Sequence, residues 1–318
     1  MSIVAVDLGG TNLRVGLLRR ERVLWKRQIA TEAERGKEHI ISNMSRLIRL
    51  AMQESRRLSD QVEGIGVGLP GPVNPATGVV DSPPNLPGWE QVPLGDLLTR
   101  QFSLPVYLNN DANAAALGEW LYGAGQGYEH LVYVTISTGI GGGVISSGVL
   151  LTGASGGAAE IGHMCIQAVQ GVPCGCGREG CFEAYASGNA MVRYAQEKLS
   201  RAEAASSLLH GLEPLTPKEI GQAAAAGDLL AGQVLERCRR YLAVGLANVL
   251  TLYDPQVLIL GGGLTNLWSQ LIVPVLPEMR RLTFAANAEH LAVVRPALEG
   301  DAGLVGAAAL VSYAGSRQ

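Results

Sequence analysis

The 318-residue chain has no apolar run of about 18 or more residues, the length a helix needs to cross a bilayer. It has no surplus of positive charge either. Twenty-five Lys and Arg stand against 28 Asp and Glu, a net charge of -3, so no basic face is on offer to nucleic acid. The N-terminus lacks the long apolar core of a secretion signal and carries an acid at Asp7, which points to a reducing cytoplasm. No G-x-x-x-x-G-K-[ST] is present, which excludes the P-loop route to nucleotides. Gly66, Gly68 and Gly71 match a dinucleotide pattern by letter only, because Pro70 and Pro72 prevent the helix that would hold a pyrophosphate. No low-complexity tract or linker separates independent domains.

What is present is an ordinary globular composition: 47% hydrophobic residues, enough to fill two sizeable cores, and a length that favours about two domains. Its 41 glycines cluster where apolar runs turn, as in backbone-lined ligand sites. Residues 3–8 and 13–18 are strand-like around Gly9, Gly10 and Thr11, and 131–136 meets a similar glycine turn at 138–143, a weak sign of duplication. Ile40, Ile41, Met44, Leu47, Ile48 and Ala51 recur at helical spacing. A short strand at 65–69 leads into a proline-rich loop that cannot be helical, and a strand at 105–108 delivers Asn109, Asn110, Asp111 and Asn113 at its carboxyl end, where α/β proteins place ligands. Thr216, Pro217 and Glu219 predict a capping box, 228–253 a long helix, 257–260 a strand running into Gly261, Gly262 and Gly263, and 301–313 a closing helix of small residues.

The three glycine turns each follow a strand and offer N–H groups to phosphate oxygens. Asp7, beside the first, is either a carboxylate that holds magnesium through water or a turn cap, with Thr11, Asn12 and Arg14 nearby. Asp111 alone reads as a helix N-cap ahead of Ala112. His163, Cys174, Cys176 and Cys181 offer one imidazole and three sulfurs, a set that suits a structural zinc site; a disulfide or inert thiols are the alternatives, and Cys165 is spare.

DLGGTNLRVG at 7–16, NNDANAA at 109–115, STGIGGG at 137–143, EIGH at 160–163 and CGCGREGCFE at 174–183 together resemble the ROK family of sugar kinases over nearly the whole chain. The resemblance implies an α/β, actin-like (ribonuclease H-like) two-lobed ATPase fold with sugar and nucleotide in an interlobe cleft. The small lobe is expected at 1–115 plus 302–318 and the large lobe, with the zinc-binding loop, at 116–301. It implies Asp111 as general base, and Gly71, Asn110, Glu160, His163 and Glu183 as sugar contacts, with His163 turning one ring nitrogen to zinc and the other to sugar. Asp7, Gly9, Gly10, Thr11, Asn12, Arg14, Thr138, Gly139, Gly261, Gly262 and Gly263 are expected to hold ATP and its Mg2+.

SPPNLPGW at 82–89 looks like the corresponding segment of bacterial glucokinases, with Asn85 and Trp89 near the sugar edge and D-glucose as the expected substrate. Mannose, fructose, N-acetylglucosamine and N-acetylmannosamine kinases share the motifs, and a few relatives use polyphosphate as donor. Paired carboxylates also suit glycosidases, but Glu160 and Glu183 are better taken as acceptors for sugar hydroxyls. The family's transcriptional repressors carry a DNA-binding helix-turn-helix ahead of the first strand, for which a strand beginning at Ile3 leaves no room. A non-catalytic sugar sensor is the remaining rival. A homo-oligomer, dimer or tetramer, is expected by analogy with relatives.

Overall fold

A computed structural model describes residues 1–200, 206–298 and 300–316. The chain opens with three antiparallel strands, β1 (Ser2–Leu8), β2 (Asn12–Arg19) and β3 (Arg22–Ala30), and continues through α1 (Lys37–Arg57), β4 (Val62–Leu69), the two-residue strands β5 (Val73–Asn74) and β6 (Val79–Val80), α2 (Leu94–Phe102), β7 (Val106–Asn110) and α3 (Asp111–Tyr122). Next come β8 (Leu131–Ile136), β9 (Ile140–Ser146) and β10 (Val149–Leu150), then the cysteine loop, and α4 (Glu183–Ala186), α5 (Gly188–Leu199), α6 (Pro217–Ala225) and α7 (Leu229–Tyr253). Strand β11 (Val257–Gly261), α8 (Val273–Arg281), α9 (Ala285–Glu289), β12 (Ala292–Val294) and α10 (Ala302–Gly315) complete it.

One sheet has the order β3-β2-β1-β4-β7, with β4 parallel to β1 and β7 parallel to β4; the other has the order β10-β9-β8-β11-β12. The chain divides into two compact units. The first is Met1–Tyr133, Gly143–Ala159 and Pro296–Gln318, and the second is Val134–Gly142 and Glu160–Arg295. No described helix is long and apolar enough to cross a membrane.

The side-chain period of two along β1 sorts it between two cores. Val4, Val6 and Leu8 pack with the α1 stripe of Ile40, Met44, Leu47, Ile48 and Ala51, whereas Ile3 and Ala5 pack with Leu304, Ala307, Ala308 and Val311 of α10. The α10 side is unusually close. A Cβ on Gly66 of β4 would overlap the Ala307 carbonyl and lie 2.7 Å from its carbon, and one on Gly306 would lie 2.6 Å from the Ala114 oxygen of α3. Small residues at 302–309 are therefore what lets this helix lie against β4 and α3.

Two local expectations change. Of the glycines at 138–143, only the first shapes the turn: Gly141, Gly142 and Gly143 lie inside β9, where a Cβ on Gly143 would sit 2.6 Å from Ala116 Cβ of α3. Thr216 precedes α6 with Pro217 in its first turn, but its hydroxyl donates to the Glu219 carboxylate and makes no backbone cap bond.

Glu119 of α3 is 1% exposed, and its carboxylate accepts from the backbone N–H groups of Ala124 at 2.8 Å, Ala297 at 3.0 Å and Leu298 at 2.9 Å. This ties the segment before α10 to α3. Glu119→Ala takes a buried charged acceptor from three backbone donors and is expected to lower stability by about 3–5 kcal/mol, read by chemical denaturation, with Glu119→Gln less damaging because its amide oxygen still accepts.

Candidate functional site

Three parallel strands of the first unit end in register. Asp7 pairs with Gly68 and Gly68 with Asn109, so Asp7, the loop after β4 and the 109–111 turn share the carboxyl edge of one sheet. Asp7 lies on the α10 side of β1, and a Cβ on Gly303 would be 2.6 Å from its carboxyl carbon. Its side chain is 14% exposed and paired through Oδ2 with Arg14, whose other nitrogen donates to the Gly300 carbonyl at 3.1 Å. Burial raises the Asp7 pKa above the usual aspartate value, and the Arg14 charge and hydrogen bond oppose that rise without cancelling it. With Oδ2 on Arg14, Oδ1 is the oxygen Asp7 has to offer a cation. A lone carboxylate of this kind fits magnesium, which keeps most of its ligands as water and phosphate.

The first glycine turn is tied down at both ends. Gly9 N–H donates to the Asn12 carbonyl at 2.8 Å, and Thr31, just past β3, donates its hydroxyl to the Gly9 carbonyl at 2.6 Å and its N–H to the Thr11 carbonyl at 2.8 Å. Thr11 and Asn12 are exposed, and Asn12 accepts from Gln28 at 3.0 Å. Asn85, exposed in the proline-rich loop, reaches this turn: a Cβ on Gly10 would meet Asn85 Cβ at 2.9 Å. Gly71 is half-buried in the same loop. Trp89 corrects the expectation of a sugar-edge residue. At 0% exposure it belongs to the core packed around α1, because a large apolar ring gains more by burial there than at a polar rim.

The cap of α3 is Asn110, not Asp111. Asn110 Oδ1 accepts from Asn113 N–H at 2.7 Å, while Asn109 Oδ1 accepts both from Asn110 N–H and from Asn113 Nδ2 at 2.9 Å. Asp111 follows as the first helical residue, exposed, with Oδ1 accepting from Ala112 N–H at 2.8 Å. The asparagines carry the helix start, which relieves Asp111 of the capping duty that its spacing suggested.

In the second unit the turn at 137–139 is the meeting point. Glu183, first residue of α4, accepts from Ile140 N–H at 2.8 Å and lies 3.9 Å from Cys174 Sγ. Gly188 and Asn189, at the start of α5, donate to the carbonyls of Ser137 at 2.7 Å and Thr138 at 3.2 Å. Gly262 has φ 88°, and a Cβ there would lie 2.7 Å from the Ile136 carbonyl carbon; a Cβ on Gly263 would lie 3.5 Å from Ser137 Oγ. Gly261 stands apart, buried as the last residue of β11. Thr138, Gly139, Gly262 and Gly263 thus gather with the α5 N-terminus, whose contribution the sequence signalled only through the Ser187 cap. Glu160 is exposed, and its carbonyl accepts from His163 N–H at 3.0 Å.

His163, Cys174, Cys176 and Cys181 converge, their donor atoms all within 4.8 Å of one another. Cys176 and Cys181 sulfurs are 3.7 Å apart, and Cys174 Sγ is 3.8 Å from His163 Nδ1. Tetrahedral zinc–thiolate bonding separates sulfurs by ~3.8 Å, so the donor set fits zinc in number, kind and spacing. Nδ1 is the nitrogen turned to the cysteines. All four cysteine-loop thiols are free, Cys165 among them, and Cys165 is exposed outside the cluster. Burial raises the Cys174 thiol, and burial together with the neighbouring thiols pushes Cys181 up to about 12. Burial acts upward on Cys176 too, but hydrogen bonds from Arg178 and the other two thiols outweigh it and hold Cys176 down at about 6. Cys176 is thus the thiolate that forms first.

Comparison with known proteins agrees with this assembly of motifs. The chain is 36% identical over 318 residues to a glucokinase of Thermotoga maritima, covering 98% of this chain and 97% of that one. A ROK family glucokinase from Streptomyces griseus, solved in complex with glucose and AMPPNP, is 36% identical with a TM-score of 0.79 and coverage of 98% and 99%. A ROK family transcriptional regulator, a homolog of the E. coli MLC protein, superimposes with a TM-score of 0.87 at 28% identity, over 98% of this chain and 78% of that one. With the ROK family matching residues 3–314, and the family's signature segments found at strand ends and in a preformed cysteine loop, the chain belongs to the ROK family.

Proposed function

We propose that the protein is an ATP-dependent sugar kinase that transfers the γ-phosphoryl group to the 6-hydroxyl of a hexose, D-glucose first among them. The observation that carries this reading is the position of the exposed Asp111 carboxylate, in the first turn of α3 at the carboxyl edge of the sheet that also ends in Asp7. As the hydroxyl oxygen bonds to the γ-phosphorus and the bond to the β–γ bridging oxygen breaks, the hydroxyl proton passes to Asp111 and the electron pair leaves with ADP. Asn85, Asn110, Gly71, Glu160, His163 and Glu183 are assigned to the sugar; charged acceptors discriminate strongly by hydroxyl position, since a missing hydroxyl leaves a carboxylate unpaired. Gly9, Gly10, Thr11, Asn12, Arg14, Thr138, Gly139 and the 261–263 turn are assigned to the nucleotide, with Asp7 on magnesium.

Zinc is assigned to His163, Cys174, Cys176 and Cys181, where it cross-links the loop and fixes the tautomer of His163. Purified protein is expected to carry one zinc per chain by elemental analysis, and Cys176→Ser to lower that to less than half. Cys174 and Cys181 have raised pKa values while Cys176 is held at about 6, so uptake near neutral pH releases the protons of Cys174 and Cys181. Affinity therefore falls as pH falls, and zinc titrations in weakly buffered indicator dye are expected to show the proton release directly.

ADP production with magnesium-ATP across hexoses and N-acetylhexosamines tests the substrate. Turnover led by glucose supports the full assignment, and turnover led by another sugar moves the specificity while keeping the chemistry. The likeness to a transcriptional regulator favours a second reading, a sugar sensor, which sugar binding without any turnover would establish.

A further inference from the structure

Cys181 stands two residues ahead of α4, and one phenol of that helix reaches back to the backbone ahead of Cys174. Tyr185 of α4, four residues after Cys181 and two after Glu183, is 3% exposed, and its hydroxyl accepts from the backbone N–H of Val172 at 2.7 Å. Val172 lies two residues before Cys174. The same ring packs in a cluster with Cys181 and Ala184, against Val172 and Cys174.

The ring is itself braced by α7. Tyr241 stacks on it with centroids 4.4 Å apart and a 38° tilt, and the Arg237 guanidinium lies 5.2 Å from the Tyr185 ring, 5.1 Å from Tyr241 and 4.4 Å from Tyr194 of α5. A cation shared by three ring faces holds the stack in one arrangement. The phenol therefore has a fixed position, and the backbone ahead of Cys174 is hung from it.

We infer that Tyr185, braced by Arg237 and Tyr241, is a positioning residue for the cysteine loop: it sets the separation of the Cys174 and Cys181 sulfurs and, through α4, the placement of Glu183. The inference rests on the assignment of zinc and sugar to this loop made above. The logic is that of an outer contact in a metal centre. It touches no metal, yet it pays part of the ordering entropy of the donors in advance.

Tyr185→Phe keeps the ring, the stack and the cation contact and removes only the acceptor for Val172. From zinc-loaded protein, release of zinc to a coloured chelator is expected to be roughly tenfold faster in Tyr185→Phe, the lower end of what outer contacts contribute. The hexose KM is expected to rise with kcat little changed. Tyr194→Phe, which keeps its ring over Arg237 and has no bond to the loop, is expected to release zinc at the wild-type rate. Equal release from Tyr185→Phe and wild type overturns the inference while leaving the kinase reading intact. Wild-type protein that takes up no zinc overturns the metal assignment and this inference with it. Amide exchange in the wild-type protein gives a check free of any variant: Val172 N–H is expected to be protected, and exchange at the rate of an open chain overturns the role.

Discussion

Asp111→Asn is expected to fold, to bind hexose and to lose a factor of about 10²–10⁴ in kcat, the usual share of a general base. Asparagine matches aspartate in size and can keep accepting from Ala112 N–H, but it cannot take up a proton. The structural cost is small because the cap of α3 belongs to Asn110, whose side chain accepts from Asn113 N–H. The substitution also takes one negative charge from the first turn of the helix, worth about 0.3–1 kcal/mol. The separation of turnover from stability is the discriminating result: turnover above a tenth of wild type overturns the base assignment, and a large loss of thermal stability assigns Asp111 a structural role instead. Asn110→Ala is the contrasting variant, expected to cost about 1 kcal/mol through the lost cap.

Gly66→Ala is expected to be severely damaging for the addition of a single methyl group. The added carbon would overlap the Ala307 carbonyl, a backbone group of a buried helix that no rotamer change can move, and would also press on Val311 Cγ2 at 3.3 Å. Helix and sheet must part, opening a core in which Ile3, Ala5, Leu304 and Ala307 are all buried. Overpacking of this kind against backbone exceeds the ordinary range, and a loss of about 3–5 kcal/mol follows, roughly 10 °C in a thermal scan. Gly232→Ala is the matched control. Gly232 lies inside α7 with nothing within 4 Å of an added Cβ, so the same change there is expected to stabilise by about 0.5–1 kcal/mol. Equal melting temperatures for the two variants would refute the close-approach account of α10.

Much of this was readable from residues because local rules and tertiary packing agree. The strand-turn-strand at 2–19, the stripe of α1, the long α7 ended by Asp254 in the left-handed region, and the convergence of His163 with three cysteines all follow from periodicity, turn chemistry and donor spacing. Strand β3 was not legible. Its exposed Arg22, Lys26, Arg27 and Gln28 give it the polar character of an edge strand, which hides the alternation that marks a buried one. Gly141, Gly142 and Gly143 look like a turn in sequence, yet they lie inside β9, and the demand Gly143 answers is room for α3, a tertiary contact. Asp111 and Asn110 are both good caps by type, and only the geometry of Asn113 decides which one serves. Trp89 sits among prolines and looks like a rim residue until the core around α1 is seen to need it.

The first unit is discontinuous in sequence: the strands of its β3-β2-β1-β4-β7 sheet lie in the first 133 residues, and the helix that covers Ile3 and Ala5 comes from 302–315. A ribosome delivers these pieces in order, N-terminal part first. The second unit, whose segments end at Arg295, is fully synthesised before α10 exists, so the nascent chain carries an uncovered apolar sheet face through more than half of its translation. Stop codons or proteolysis ahead of α10 leave that face permanently open, which makes such fragments natural clients for chaperones and degradation.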